Sequence, residues 1–183
     1  MFRHITCLLM LFATSGLIVA QQANVEHEGG CASSEAQALN FLKGDWSVKS
    51  KFRLSREPER WEETTGRSNI SYLFDNCLLQ EQFETTRQGH PFMATAMYAY
   101  NRNTKKYESV GADSEHGVLT LYSGPMSGNE LVLETKVEIS GQSILLRRVW
   151  TKDPTGGFEV RSQRSSDGGK TWDTAWYLVY SRK

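Results

Sequence analysis

The sequence predicts an all-β domain, a closed antiparallel up-and-down barrel of about ten strands with a short N-terminal helix capping one end. Three observations carry that prediction. Apolar residues alternate with a strand-like period of two from residue 45 to the end of the chain. Turn-forming residues break the alternation at short, regular intervals. No segment after Gly44 offers a helix long enough to cross over between parallel strands. Neighbours therefore pair antiparallel, and a meander of this length closes on itself rather than leaving two edges unpaired.

The first segment lies outside the barrel. Met1 to Ala20 reads as a signal peptide: Arg3 at the start, an apolar run from Cys7 to Val19, and small residues before Gln21. The run is short for a membrane span and lacks a basic flank after it, so no stable membrane anchor is expected; an N-terminal anchor helix is the alternative. This leader implies a secreted or periplasmic protein. Gln21 to Gly30 has no apolar periodicity and reads as a flexible leader, leaving 31–183 as the folded domain. Cys31 and Cys77 remain, an even count in an oxidising compartment. A disulfide between them closes a loop of about 46 residues and contributes on the order of 4 kcal/mol; two free buried thiols are the alternative. Two cysteines without paired histidines make no zinc site.

Ser34-Glu35-Ala36-Gln37 reads as a capping box opening a short helix, with Leu39 and Leu42 as its apolar stripe and Gly44 as its stop. Ten strands follow, at 45–54, 61–72, 77–87, 91–101, 105–112, 117–125, 129–138, 143–152, 157–165 and 173–182. The turns between them are Glu57-Pro58, Asp75-Asn76, Gly89-His90-Pro91 and Asn101-Arg102-Asn103 in the first half. Ser127-Gly128-Asn129, Ser140-Gly141, Asp153-Pro154-Thr155-Gly156-Gly157 and Asp167-Gly168-Gly169 follow. All four prolines sit at or beside turns, where a missing N–H harms no ladder.

Composition narrows the function. The 183 residues carry 21 Lys+Arg against 21 Asp+Glu, a formal net charge of zero. Nucleic acid or an anionic membrane surface as the main partner needs a basic excess that is absent. With 23% charged and 39% hydrophobic residues the chain is a folded globular protein.

Two local patterns sharpen the architecture. Gly44-Asp45-Trp46, a G-x-W opening the first strand after a short helix, resembles the start of a lipocalin, in which the tryptophan plugs the barrel floor. In a closed meander the last strand ends beside the start of the first, which puts Arg182 near Trp46, where a guanidinium over an indole contributes about 0.5–2 kcal/mol. The alternative is a frayed C-terminal arginine in water. Ser165-x-Asp167-x-Gly169-x-Thr171-Trp172 matches the Asp-box pattern, a hairpin staple common in sialidase propellers. One box without internal repeats makes no propeller.

A wider set of residues resembles a large group of secreted bacterial proteins known as a domain of unknown function and expected to form a lipocalin-like (calycin-type) barrel. The likeness runs from Cys31 and Phe41-Leu42-Lys43-Gly44-Asp45-Trp46-Ser47-Val48 through Asp75-Asn76-Cys77-Leu78-Leu79-Gln80-Glu81. It continues at Tyr100-Asn101-x-x-Thr104-Lys105-Lys106-Tyr107 and Ala112-Asp113-Ser114, and ends with Ser165 to Trp172 and Tyr180-Ser181-Arg182. The resemblance implies the fold and secretion and no particular substrate. Gly111 and Ser162 stand where the group's pattern leads one to expect tryptophans, which implies a roomier interior if they point inward.

Strand parity assigns residues to the two ends. With Trp46 and the helix at the floor, odd strands run upward and His90, Asp113, Glu115 and His116 gather at the rim. These two histidines lack metal-ligand spacing, and no strand offers an inward axial histidine for haem, so neither a metal nor a cofactor is expected. Cys77 falls at the floor beside the helix that Cys31 precedes. Small residues alternating with tyrosines in 91–101 suit a cavity wall. The expected ligand-binding residues are Met97, Tyr98, Tyr100, Trp150 and Trp176. Glu81, paired with Arg147, Arg148 or Arg161, is expected either to orient the ligand or to hold the barrel's register.

Three functions fit. The first is an exported binding protein for a small apolar or aromatic ligand, with no acid–base pair in hydrogen-bond reach. The second is a cofactor-free lyase, isomerase or decarboxylase, which needs Glu81 or Asp113 facing a tyrosine or arginine. The third is a filled structural barrel with no ligand. No catalytic residue is assigned, and G-x-S-x-G, Cys–His and phosphate-cradling patterns are absent.

Overall fold

The computed structural model describes residues 33–183. The segments expected to be a signal peptide and a leader, and Cys31, lie outside the described residues. Ser33 caps the helix, its Oγ accepting from the Ala36 N–H at 3.2 Å. The cap is therefore Ser33 and not Ser34: both serines lie near the helix start, and the box is displaced by one residue. The helix α1 (Ser34–Gln37) runs into a 3₁₀ turn (Ala38–Leu42) that buries Leu39 and Leu42.

Eleven strand segments follow in one sheet. They are β1 (Gly44–Arg56), β2 (Glu59–Leu73), β3 (Leu78–Arg87), β4 (His90–Asn101), β5 (Lys106–Asp113), β6 (Thr120–Gly124), β7 (Met126–Ser127), β8 (Glu130–Ile139), β9 (Gln142–Lys152), β10 (Phe158–Ser165) and β11 (Asp173–Arg182). The predicted strand at 117–125 is shortened. It begins only at Thr120, and Pro125, which has no N–H to give, separates it from the two-residue β7. Counting β6 and β7 as one interrupted wall, the barrel has ten strands.

Every pairing is antiparallel, and chain neighbours pair in order all the way round. The last strand zips onto the first in the register Trp46↔Arg182 through Phe52↔Trp176. On the opposite side β6 meets β8 at Ser123↔Glu134. That contact needs Gly124, because a Cβ there would lie 2.1 Å from the Val132 carbonyl oxygen. The barrel is closed.

Odd-numbered walls rise from the helix end and even ones return. Trp46, Val48 and Phe52 from β1, Leu79 and Phe83 from β3, Tyr98 from β4 and Leu178 and Tyr180 from β11 point into the core. The turn carrying Cys77 lies at the helix end, where the Cys77 N–H donates to the Phe74 carbonyl at 3.2 Å.

Candidate functional site

The floor is built first. Trp46 is wholly buried and donates its indole N–H to the Leu42 carbonyl at 2.8 Å, tying the strand to the helical segment. Phe158 meets its ring edge-on at 4.9 Å, and Tyr180 stacks on Phe158 at 4.1 Å. Arg182 lies over the indole at 4.0 Å and donates to the Lys43 carbonyl at 2.9 Å. The side of Trp46 away from the interior is thereby sealed by a cation and a backbone cap.

Above this plug the barrel is hollow. A cavity of about 640 Å³ extends from Glu81 and Tyr180 near the floor to the rim residues Arg56, Asp113 and His116. Phe52, Phe83, Phe92, Tyr122, Trp150 and Trp176 supply its aromatic wall. Gly111 lines it as well, so the glycine that stands at an expected tryptophan position does leave interior space.

Glu81, 6% exposed, is satisfied without an arginine. It accepts from Ser68 Oγ at 2.8 Å, Tyr98 Oη at 2.5 Å and Tyr180 Oη at 2.8 Å. These donors come from β2, β4 and β11, so a single carboxylate stitches three walls together. Burial, reinforced by the Glu81 charge, pushes the Tyr98 and Tyr180 phenols well above the ordinary tyrosine range. Both remain protonated donors at neutral pH.

Of the residues expected to line the site, Glu81, Tyr98, Trp150 and Trp176 border the cavity. Met97 does not. It follows Tyr98's neighbour rule in reverse: successive strand side chains point to opposite faces, so an inward Tyr98 turns Met97 outward, and Met97 is 36% exposed. It lies beside Val110, itself beside Leu121, on the outer surface. Tyr100 faces inward but sits too close to the floor; it packs against Tyr107 at 5.1 Å, below the cavity.

Of the three arginines expected beside Glu81, Arg148 is the one that borders the cavity, and Glu81 is bonded to hydroxyls instead of to it. The Arg148 guanidinium lies 4.6 Å from the Tyr122 ring and 5.5 Å from Trp176. Its Nε is buried without a hydrogen-bond partner. Residues 145–150 read Leu-Leu-Arg-Arg-Val-Trp, and alternation from the inward Trp150 puts Leu146 and Arg148 on the cavity face.

The mouth is polar. Arg53 and Arg56 both hold Asp173, and Arg87 holds Glu115. His116 Nδ1 lies 2.9 Å from Asp113 Oδ1, which also accepts from the backbone N–H groups of Glu115 and His116. Partial burial raises the Asp113 pKa, and these hydrogen bonds outweigh it, leaving the carboxyl below its usual range. His90, at the β3–β4 hairpin, is exposed. Among the described residues no group of three or more histidines, cysteines and carboxylates is placed to hold a metal ion.

A family profile described as "Protein of unknown function (DUF1579)" matches residues 32–182, nearly the whole domain. The chain belongs to the DUF1579 family. No curated protein matches it. In this DUF1579 member the calycin-like barrel, the tryptophan plug and the aromatic hollow form one continuous unit.

Proposed function

We propose that the protein carries a small, largely apolar or aromatic molecule in its barrel. The observation that supports this is the unfilled interior. About 640 Å³, with eight aromatic side chains in its wall, lies within the size range of small-molecule sites, whereas a purely structural barrel fills its interior with side chains. The carrier acts outside the cytoplasm, secreted or periplasmic, an assignment that rests on the apolar leader at 1–20. With export goes a Cys31–Cys77 disulfide, supported by the place of Cys77 at the barrel end where the chain enters from residue 33. Native mass spectrometry of protein purified from its own host tests the carrier reading. One co-purifying small organic mass is expected; a ligand-free protein that also takes up no neutral apolar dye defeats it.

A second reading, a cofactor-free lyase or isomerase, draws on one observation: Glu81 lies within hydrogen-bond reach of two cavity tyrosines. Against it, the three hydroxyls occupy the carboxylate, and phenols with raised pKa values are poor proton donors to a substrate near pH 7. Turnover abolished by Glu81→Gln in a protein of unchanged stability would favour the enzyme.

A further inference from the structure

Arg148 is the one cavity cation among the described residues whose surroundings look incomplete well below the rim. Its guanidinium has five N–H donors; the Nε–H is buried without a partner, and among the described residues no hydrogen bond or ion pair engages the rest. A buried donor without an acceptor is destabilising, and a guanidinium cannot escape that by losing its proton. The acidic group near the cavity base offers no relief, since Glu81 is bound to Ser68, Tyr98 and Tyr180. Tyr122 and Trp176 meanwhile hold the guanidinium against the wall, which limits its freedom to swing toward solvent.

Charge along the hollow points the same way. Five arginines border it, at 53, 56, 87, 148 and 164, against two carboxylates, Glu81 and Asp113. Three of the arginines near the mouth are spoken for by Asp173 and Glu115. Of the two left, Arg164 is exposed at the rim, whereas Arg148 lies half-buried against Tyr122 and Trp176 with free donors.

Resting on the carrier reading above, we infer that the carried molecule has an anionic group of carboxylate, sulfonate or phosphate type that docks on Arg148. Its apolar body extends toward the mouth between Phe52, Phe83 and Phe92. The guanidinium supplies a planar fork of donors that matches such an anion bidentately. The rings of Tyr122 and Trp176 flank the contact and partly shield it, which weakens screening by salt.

Two dyes with the same ring skeleton separate the claims: N-phenyl-1-naphthylamine, which is uncharged, and 8-anilinonaphthalene-1-sulfonate, which adds one sulfonate. Fluorescence titration of the wild-type barrel is expected to give at least about tenfold tighter binding of the sulfonate. Arg148→Gln removes that preference and leaves the neutral dye bound within about twofold, which also certifies the fold. Arg164→Gln, at the rim, retains the preference. Should Arg148→Gln fail to bind the neutral dye, Arg148→Lys is read instead; it keeps the charge, loses the fork, and lowers the preference several-fold. Equal affinity for the two dyes in the wild type, or a preference that survives both Arg148 variants, overturns the anion site while leaving the carrier intact. Failure of wild-type protein, shown to be ligand-free by native mass spectrometry, to bind either dye removes the carrier reading itself.

Discussion

At the closed end of the barrel Trp46 is sealed on every side: Leu42 takes its N–H, Phe158 meets its edge and Arg182 covers its face. At the open end Arg53, Arg56 and Arg87 hold their carboxylates in partly exposed pairs. The chemistry at the two ends is similar in kind, cations against rings and acceptors, yet its energetic weight differs. Contacts made in a dry, packed environment are costly to break, whereas exposed ion pairs contribute little because water replaces either partner. The floor therefore carries stability, and the mouth is free to be shaped for a ligand.

Variants at the two ends break or sharpen this contrast. The largest effect is expected for Trp46→Ala, which empties the plug and lowers unfolding free energy by about 3–5 kcal/mol in urea titrations. A loss no greater than that of a rim variant would erase the distinction. Next comes Gly124→Val at the β6–β8 contact, where a side chain meets the Val132 carbonyl and forces the two walls apart. A loss of about 1–3 kcal/mol is expected from the same titration.

Tyr180→Phe withdraws one hydroxyl from Glu81 and is expected to cost about 1–3 kcal/mol, since the buried carboxylate loses a donor it cannot replace. The same tyrosines set an alkaline limit. Their folded pKa values are raised above the unfolded value of about 10. Their contribution is complete below pH ~10 and is lost as pH climbs toward the folded values. Urea midpoints should fall above pH 10 in the wild type and fall less steeply in a Tyr98→Phe, Tyr180→Phe variant. Ser109, buried with an unpartnered hydroxyl, gives a smaller effect of opposite sign: Ser109→Ala is expected to raise stability by about 1 kcal/mol. The smallest belongs to the mouth. Arg56→Ala removes a half-exposed partner of Asp173 and should shift stability by less than about 1 kcal/mol.

The walls were legible because period-two alternation and turn residues report local geometry directly. The sixth wall was not, because Val118 and Leu119 look like strand residues; both are exposed, and Val118 borders the cavity mouth. The inward direction of Tyr98 was in principle enough to turn Met97 outward, since the two are adjacent in one strand. The partners of Glu81 were hidden for a different reason. Ser68, Tyr98 and Tyr180 lie 13, 17 and 99 residues away in the chain, and only the register of three separate walls brings their hydroxyls to one carboxylate. Arg148 was legible by the same alternation that turns Met97 outward: Trp150, expected in the wall, lies two residues further along the strand, and residues two apart share a face.

The zip between β1 and β11 has a temporal consequence. The first wall has the last wall of the barrel as its second neighbour, so β1 stays half-partnered until every other wall has been made. A nascent barrel would thus hold an unsatisfied backbone edge until β11 emerges, and removal of β11 should be tolerated far less than loop insertions at the rim.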